Sequence, residues 1–182
     1  MFGLTGLDQS FAREVREKSG QSVELCYQCQ KCAAGCAMGE FADYTPSQIL
    51  RLVLFGARER VLRSSALWFC LSCEICSARC PNDIKIAEVM DALREMALAA
   101  GVSPGEKHSP LFHQIFLKSV QNRGRVHETF MMVEYKLRSK DLFSDLDTGL
   151  KMLQKGKLPL LTPGVKNKAA VREIFERTKG KS

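Results

Sequence analysis

The sequence of 182 residues predicts an all-α chain. Three observations carry that prediction. Apolar residues recur at helical spacing in most segments, the apolar–polar alternation of strands is nearly absent, and the cysteines fall in two short runs separated by 33 residues that also read as helices. The length fits one domain, or a small core with an extension, and a hydrophobic content of 45% is enough for a buried core.

The elements follow in order. A first helix starts at Ser10 as N-cap, carries Phe11 and Val15 on one face and stops at Gly20. The first cysteine run comes next. Thr45 and Pro46 then form a helix start, with threonine as N-cap and proline in the first turn, and Ile49, Leu50, Val53 and Leu54 supply the apolar face up to Gly56. A short helical piece over 59–63 leads through Ser64 and Ser65 to Leu67, Trp68 and Phe69 and the second run. Pro81, Asn82 and Asp83 make a turn. The strongest helix spans 84–100, with Ile86, Val89, Met90, Leu93 and Ala97 inward and Gly101 after it. Residues 101–105 are a Gly/Ser/Pro break. Helices are expected at 111–120, 129–138 and 147–153, an extended piece at 158–163 where Pro159 and Pro163 disfavour helix, and a last helix at 169–177 with Val171 and Phe175 one turn apart. The expected division is a cluster-binding domain over 1–100 and a helical extension with a basic arm over 101–182.

All eight cysteines lie in Cys26-x2-Cys29-x2-Cys32-x3-Cys36 and Cys70-x2-Cys73-x2-Cys76-x3-Cys80, the second run followed at once by Pro81. This is the ferredoxin-type ligand run for two [4Fe–4S] clusters, in which the fourth cysteine of each run ligates the other cluster. The x2, x2 spacing lets one tight loop offer three thiolates while its backbone amides turn toward the cluster sulfurs. The fourth thiolate stands about a turn further round and completes the neighbouring site. The expected ligands are Cys26, Cys29, Cys32 and Cys80 for the first cluster, and Cys70, Cys73, Cys76 and Cys36 for the second. A pair of zinc sites is the alternative for soft thiolates, but zinc usually takes two Cys-x-x-Cys hooks far apart rather than three cysteines in one loop. A zinc-stabilised module using its basic tail on nucleic acid therefore ranks last.

Lys31, Glu74 and Arg79 lie inside the runs, where charge can tune reduction potential. Trp68 and Phe69 either shield a cluster from water or are simply core. His108, His113 and His127 form no metal hook and read as surface or helix residues. No glycine-rich phosphate loop suggests a flavin or nucleotide site, and no acid–base pair stands out. The chain thus has cofactor ligands without visible substrate chemistry, and no catalytic residue is expected. An electron carrier within a larger enzyme is the inference.

The net charge of +7 is uneven. Residues 151–182 hold nine Lys or Arg against Glu173 and Glu176, which leaves the first 150 residues formally neutral. Such an arm either is solvated or docks on an acidic or phosphate-rich partner. It has few interleaved aromatics and no nucleic-acid motif, so nucleic acid is not an expected partner. The longest apolar patches, 97–100 and 115–117, are far too short to span a bilayer, and residues after Met1 lack the pattern of a signal segment. A cytoplasmic protein without direct membrane insertion is expected, in a compartment that keeps thiols reduced.

The segments Cys26-Tyr27-Gln28-Cys29-Gln30-Lys31-Cys32-Ala33-Ala34-Gly35-Cys36 and Cys70-Leu71-Ser72-Cys73-Glu74-Ile75-Cys76-Ser77-Ala78-Arg79-Cys80-Pro81, with the Thr45-Pro46 helix start between them, resemble the C-type subunit of heterodisulfide reductase, an α-helical ferredoxin. The specific likeness covers about residues 20–100. The runs alone are shared with the iron–sulfur subunits of succinate dehydrogenase, glycolate oxidase and anaerobic glycerol-3-phosphate dehydrogenase. One departure is Ala37, where the family often has a proline that shapes the turn but donates no ligand. The resemblance implies a subunit of a larger hetero-oligomer. It would pass electrons from a flavin- and cluster-bearing A subunit to a B subunit that reduces a disulfide such as CoM-S-S-CoB, in methanogens as part of flavin-based electron bifurcation. Related complexes of acetogens, sulfate reducers and sulfur oxidisers use the same module. The alternative setting is a membrane-associated, quinone-linked dehydrogenase with a separate anchor, the basic arm then touching anionic lipid.

Overall fold

The computed structural model describes residues 7–102, 107–141, 144, 146–157 and 164–178. All regular structure among the described residues is helical. The chain forms two compact units that divide between Lys107 and His108.

In the first unit, α1 (Phe11–Ser19) buries Phe11 and Val15 and ends at Gly20, whose φ of 69° only glycine adopts without cost. Its start differs from the expected serine cap. Ser10 makes no side-chain cap; its N–H and hydroxyl both donate to Asp8 Oδ1, at 2.9 and 2.6 Å. A carboxylate two residues upstream is the stronger acceptor, so it takes the donors the serine would otherwise have used. Asp8 is itself fixed by its N–H bond of 2.8 Å to the Gly56 carbonyl. Gly56 sits at φ 71°, and a Cβ there would stand 2.3 Å from the Asp8 carbonyl oxygen, so the close approach requires glycine.

A short 3-10 turn, Val23–Leu25, leads into the first cysteine run, which contains α2 (Lys31–Ala34). Helix α3 (Pro46–Leu54) opens as predicted with Pro46 in its first turn, and the Gln48 side chain accepts the Thr45 N–H at 2.8 Å. Helices α4 (Arg58–Leu62) and α5 (Ala66–Phe69) follow, then the second run with α6 (Ile75–Ala78), then α7 (Ile86–Ala99). Helix α7 is the axis of the unit and packs against α1, α4, α5 and α6. All five inward residues expected on it are buried. Its apolar face joins Phe11, Val15, Ile49, Val53, Val61 and Leu67 in one core, and Cys32 belongs to that core while Cys26, Cys70, Cys76 and Cys80 pack against it. Trp68 is buried in the same cluster, which settles its reading as core.

The second unit contains α8 (His108–Arg123), α9 (Glu128–Ser139), α10 (Leu146–Gln154) and α11 (Lys168–Thr178), with α8 packed against both α9 and α11. His127, expected at the surface or on a helix, is buried and acts as N-cap of α9: its Nδ1 accepts the Phe130 N–H at 3.4 Å, and its own N–H donates to Ser119 Oγ at 3.1 Å. His108 and His113 are exposed. The extended piece expected at 158–163 lies outside the described residues.

Candidate metal centres

Each cysteine run is built on the same backbone turn. In the first, Gln28 and Gln30 flank Cys29 at φ 57° and 64°; in the second, Ser72 and Glu74 flank Cys73 at φ 48° and 60°. The hydrogen bonds match position for position. Ala34 N–H to Gln30 O and Cys36 N–H to Ala33 O in the first run recur as Ala78 to Glu74 and Cys80 to Ser77 in the second. Left-handed backbone at a residue with a Cβ costs about 1–2 kcal/mol. Four such residues around two cysteines mean that the loops hold strain that the surrounding helices must sustain. Left-handed positions of this kind turn successive N–H groups to one side, the concave arrangement that suits an anionic body such as an iron–sulfur cluster.

The eight thiols fall into two groups of four. Cys26, Cys29, Cys32 and Cys80 line one cavity, together with Leu50 and Ile86 from the core. Cys36, Cys70, Cys73 and Cys76 line the other, together with Met38, Tyr44 and Met90. In both, three thiols come from one loop and the fourth from the other run. Among the described residues no three His, Cys, Asp or Glu side chains converge closely enough to hold a single metal ion. The thiols instead border two solvent-open spaces. Four soft sulfur donors, three from one tight loop and one from the other run, have the chemistry that suits a four-iron cubane. Neither Trp68 nor Phe69 lines either cavity.

Burial pushes the Cys32 thiol up to about 11 and also raises Cys76. Both are therefore protonated at neutral pH without metal, and ligation must release those protons. Cys29 and Cys73 are the exposed members of the two groups. Gln28 Nε2 donates to Cys26 Sγ at 3.2 Å, a hydrogen bond to sulfur of the kind that tunes a cluster's potential.

Two polar staples hold the crossing arms, and neither leaves a mark in the residue pattern. Asp43, between Cys36 and α3, accepts from Ser64 Oγ at 2.6 Å and from the Ser65 and Ala66 N–H groups at 3.1 Å, while its own N–H donates to Ser65 Oγ at 3.1 Å. This fastens the chain leaving Cys36 to the start of α5, the helix that delivers Cys70. Burial acts to raise the Asp43 carboxyl, but the hydrogen bonds from Ser64, Ser65 and Ala66 outweigh it and hold the group below the usual carboxylate range. On the other arm, Asn82 Nδ2 donates to the Leu25 carbonyl, tying the turn after Cys80 to the residue before Cys26. The second loop is also anchored to α7, where Arg94 Nη2 donates to Ser72 Oγ at 2.8 Å.

Residues 25–85 match the family model of the 4Fe–4S dicluster domain. The chain is 33% identical over 102 residues to the C-type subunit of the H(2):CoB-CoM heterodisulfide,ferredoxin reductase of Methanothermobacter thermautotrophicus, covering 56% of this chain and 55% of that protein. It is 40% identical over 106 residues to an iron–sulfur C-type subunit, the second of its kind, of the CoB–CoM heterodisulfide reductase of Methanocaldococcus jannaschii, covering 54% and 56%. It is 33% identical over 96 residues to the C-type subunit of the ferredoxin:CoB-CoM heterodisulfide reductase of Methanosarcina acetivorans, covering 53% and 38%. The chain thus spans about half the length, or less, of these curated relatives. On a scaffold whose described residues are all helical, residues 25–85 are similar to the 4Fe–4S dicluster domain, and the stretch around them is similar to the iron–sulfur C-type subunits of heterodisulfide reductases.

Proposed function

We propose that this chain is the electron-transfer subunit of a heterodisulfide-reductase-type complex, holding one [4Fe–4S] cluster on Cys26, Cys29, Cys32 and Cys80 and a second on Cys36, Cys70, Cys73 and Cys76. The observation that carries the reading is the grouping of the thiols, three from one loop and one from the other run at each cavity. When bound, each cluster supplies a one-electron redox centre. The chain's own residues do the rest: the two loops present thiolates and amides, Leu50, Ile86 and Met90 limit water, and Asp43 and Asn82 keep the crossing arms in register. In this reading the chain itself is non-catalytic. It relays electrons from a flavin- and cluster-bearing A-type partner to a disulfide-reducing B-type partner, with CoM-S-S-CoB or a related disulfide as terminal acceptor. The names of the C-type relatives support that setting.

The proposed location is the cytoplasm, where thiols stay reduced; no described helix is long and apolar enough to cross a membrane. The proposed division of labour gives cluster binding to 1–100 and partner docking to 101–182. Deleting 151–182 should then weaken assembly with the partner chains while leaving iron content intact; unchanged assembly removes the docking role.

Anaerobic purification should yield about eight irons and eight sulfides per chain, the content of two cubanes, and a native pull-down should bring A- and B-type chains. Iron near zero refutes the reading. The crossed ligand sets are tested by paired variants. Cys29→Ser with Cys80→Ser damages only one site and should leave about four irons, whereas Cys73→Ser with Cys80→Ser damages both and should leave almost none. The opposite pattern would mean that each run serves its own cluster.

A further inference from the structure

Gly35 and Arg79 occupy equivalent places, each the residue before the fourth cysteine of its run. They are also the C-caps of α2 and α6, which pack against each other. The arginine lies across the glycine. A Cβ on Gly35 would stand 2.8 Å from Arg79 Nε, 2.9 Å from Cδ and 3.0 Å from Cζ. Any side chain at position 35 would therefore displace the guanidinium, and two arginines could not share the seam. Arg79 adjoins Cys80 in sequence, and its guanidinium covers the residue adjoining Cys36. It thus touches both crossing arms. Among the described residues no carboxylate pairs with it. An arginine stays charged at any physiological pH.

We propose that Arg79 is a fixed positive charge, seated on Gly35 at the seam between the two loops, that raises the reduction potentials of both cluster sites together. The proposal rests on the two-cluster reading. Reduction adds negative charge at a site, and a nearby cation favours the reduced form. Arg79 belongs to one arm and lies across Gly35 of the other, so it favours reduction at either end of the pair. The residue is exposed, so its influence weakens as salt rises.

The test is a redox titration of the full chain, purified anaerobically with its clusters and followed by electron paramagnetic resonance. Arg79→Gln should keep about eight irons and lower both midpoints, each by about a tenfold change in the reduction equilibrium, which is 59 mV for a one-electron couple. The gap from the native chain should narrow at high salt. Arg79→Lys should recover most of the shift. The exchanged pair, Gly35→Arg with Arg79→Gly, should recover it too, because the guanidinium returns to the same seam from the opposite arm. Should Arg79→Gln lose its clusters, Arg79→Met takes its place, since it keeps the length of the side chain lying across Gly35 and removes only the charge. Unmoved midpoints in a variant that keeps its iron, or movement of one midpoint alone, overturn the proposal. Absence of iron from the native chain instead overturns the two-cluster reading.

Discussion

Replacing Asp43 with alanine removes one carboxylate and strands two donors, the Ser64 hydroxyl and the Ser65 N–H, while the Ala66 N–H keeps only its 3.1 Å bond to Ser64 Oγ. A hydrogen bond to a charged acceptor contributes about 1.5–3 kcal/mol when buried, and loss of a helix N-cap side chain costs about 0.5–2 kcal/mol. Asp43 is exposed and the three bonds share one group, so water recovers part of each and the losses do not add. The net cost is about 2 kcal/mol. The damage is local as well as global, because Ala42 and Tyr44, on either side of Asp43, line the cavity of Cys36, Cys70, Cys73 and Cys76. Iron in Asp43→Ala should therefore fall from about eight toward about four per chain, with the other four-thiol group less affected, and Asp43→Asn should lie between. The pH dependence has a definite sign. The folded carboxyl is held below its unfolded value of about 3.9, so its contribution is fully present above that value and is lost as pH falls through the folded one. The stability difference between native chain and Asp43→Ala should be flat from neutral pH down to about 4 and shrink below it. Iron analysis beside anaerobic thermal unfolding across that range reads both effects. A variant with native stability and eight irons, or a difference that grows on acidification, refutes the staple.

Gly56→Ala should destabilise the first unit by more than the roughly 1–2 kcal/mol of left-handed strain, because its methyl also meets the Asp8 backbone at 2.3 Å; urea unfolding gives the number, and a cost under 1 kcal/mol would contradict the close approach. Gln30→Gly and Glu74→Gly should each stabilise the cluster-free chain by about 0.5–1 kcal/mol, the left-handed strain relieved less the entropy glycine adds to the unfolded state; destabilisation would mean the positive φ is not strained. In the cluster-free chain, alkylation followed by mass spectrometry should label the exposed Cys29 and Cys73 first. Labelling of Cys32 should be slow and rise about tenfold per pH unit until pH approaches its raised value of about 11; fast labelling at neutral pH would contradict its burial.

Much of this was legible because period and punctuation agreed. The 3.6-residue spacing of Ile86, Val89, Met90, Leu93 and Ala97 marked the face of α7 that the core uses, and Thr45-Pro46 marked the start of α3. Cysteine spacing separated the thiols into triplets and singletons. What stayed hidden depends on contacts between distant residues or on backbone geometry without its usual residue. Nothing in the letters pairs Asp43 with Ser64, or Asn82 with Leu25. Glycine announces a left-handed turn, but here glutamine, serine and glutamate take those positions, so the repeat between the loops is plainer in dihedral angles than in sequence. Ser10 failed as a cap because Asp8, two residues earlier, is the better acceptor. His127 was missed for a related reason: histidine is a rare N-cap, and its role needs α8 behind it.

The crossed grouping also explains why helices rather than a short linker separate the runs. If each loop supplied all four ligands to its own site, α3, α4 and α5 could vary freely in length and direction. Under the crossed assignment neither site is complete until both runs stand side by side, and the 33 residues between them must return the chain to within reach of its own starting loop. Helix α3 packs against α2 at the first run, α5 packs against α7, and α2 meets α6 directly. Each polar staple then joins the chain leaving one run to the chain entering the other. Either site therefore needs the whole first unit in place: disordering α3–α5 separates Cys36 from Cys70 and Cys80 from Cys26 together. Urea should therefore release the iron of both sites within the unfolding transition of the first unit. A site that keeps its four irons after α3–α5 have unfolded would be held by one run alone, and would count against crossing.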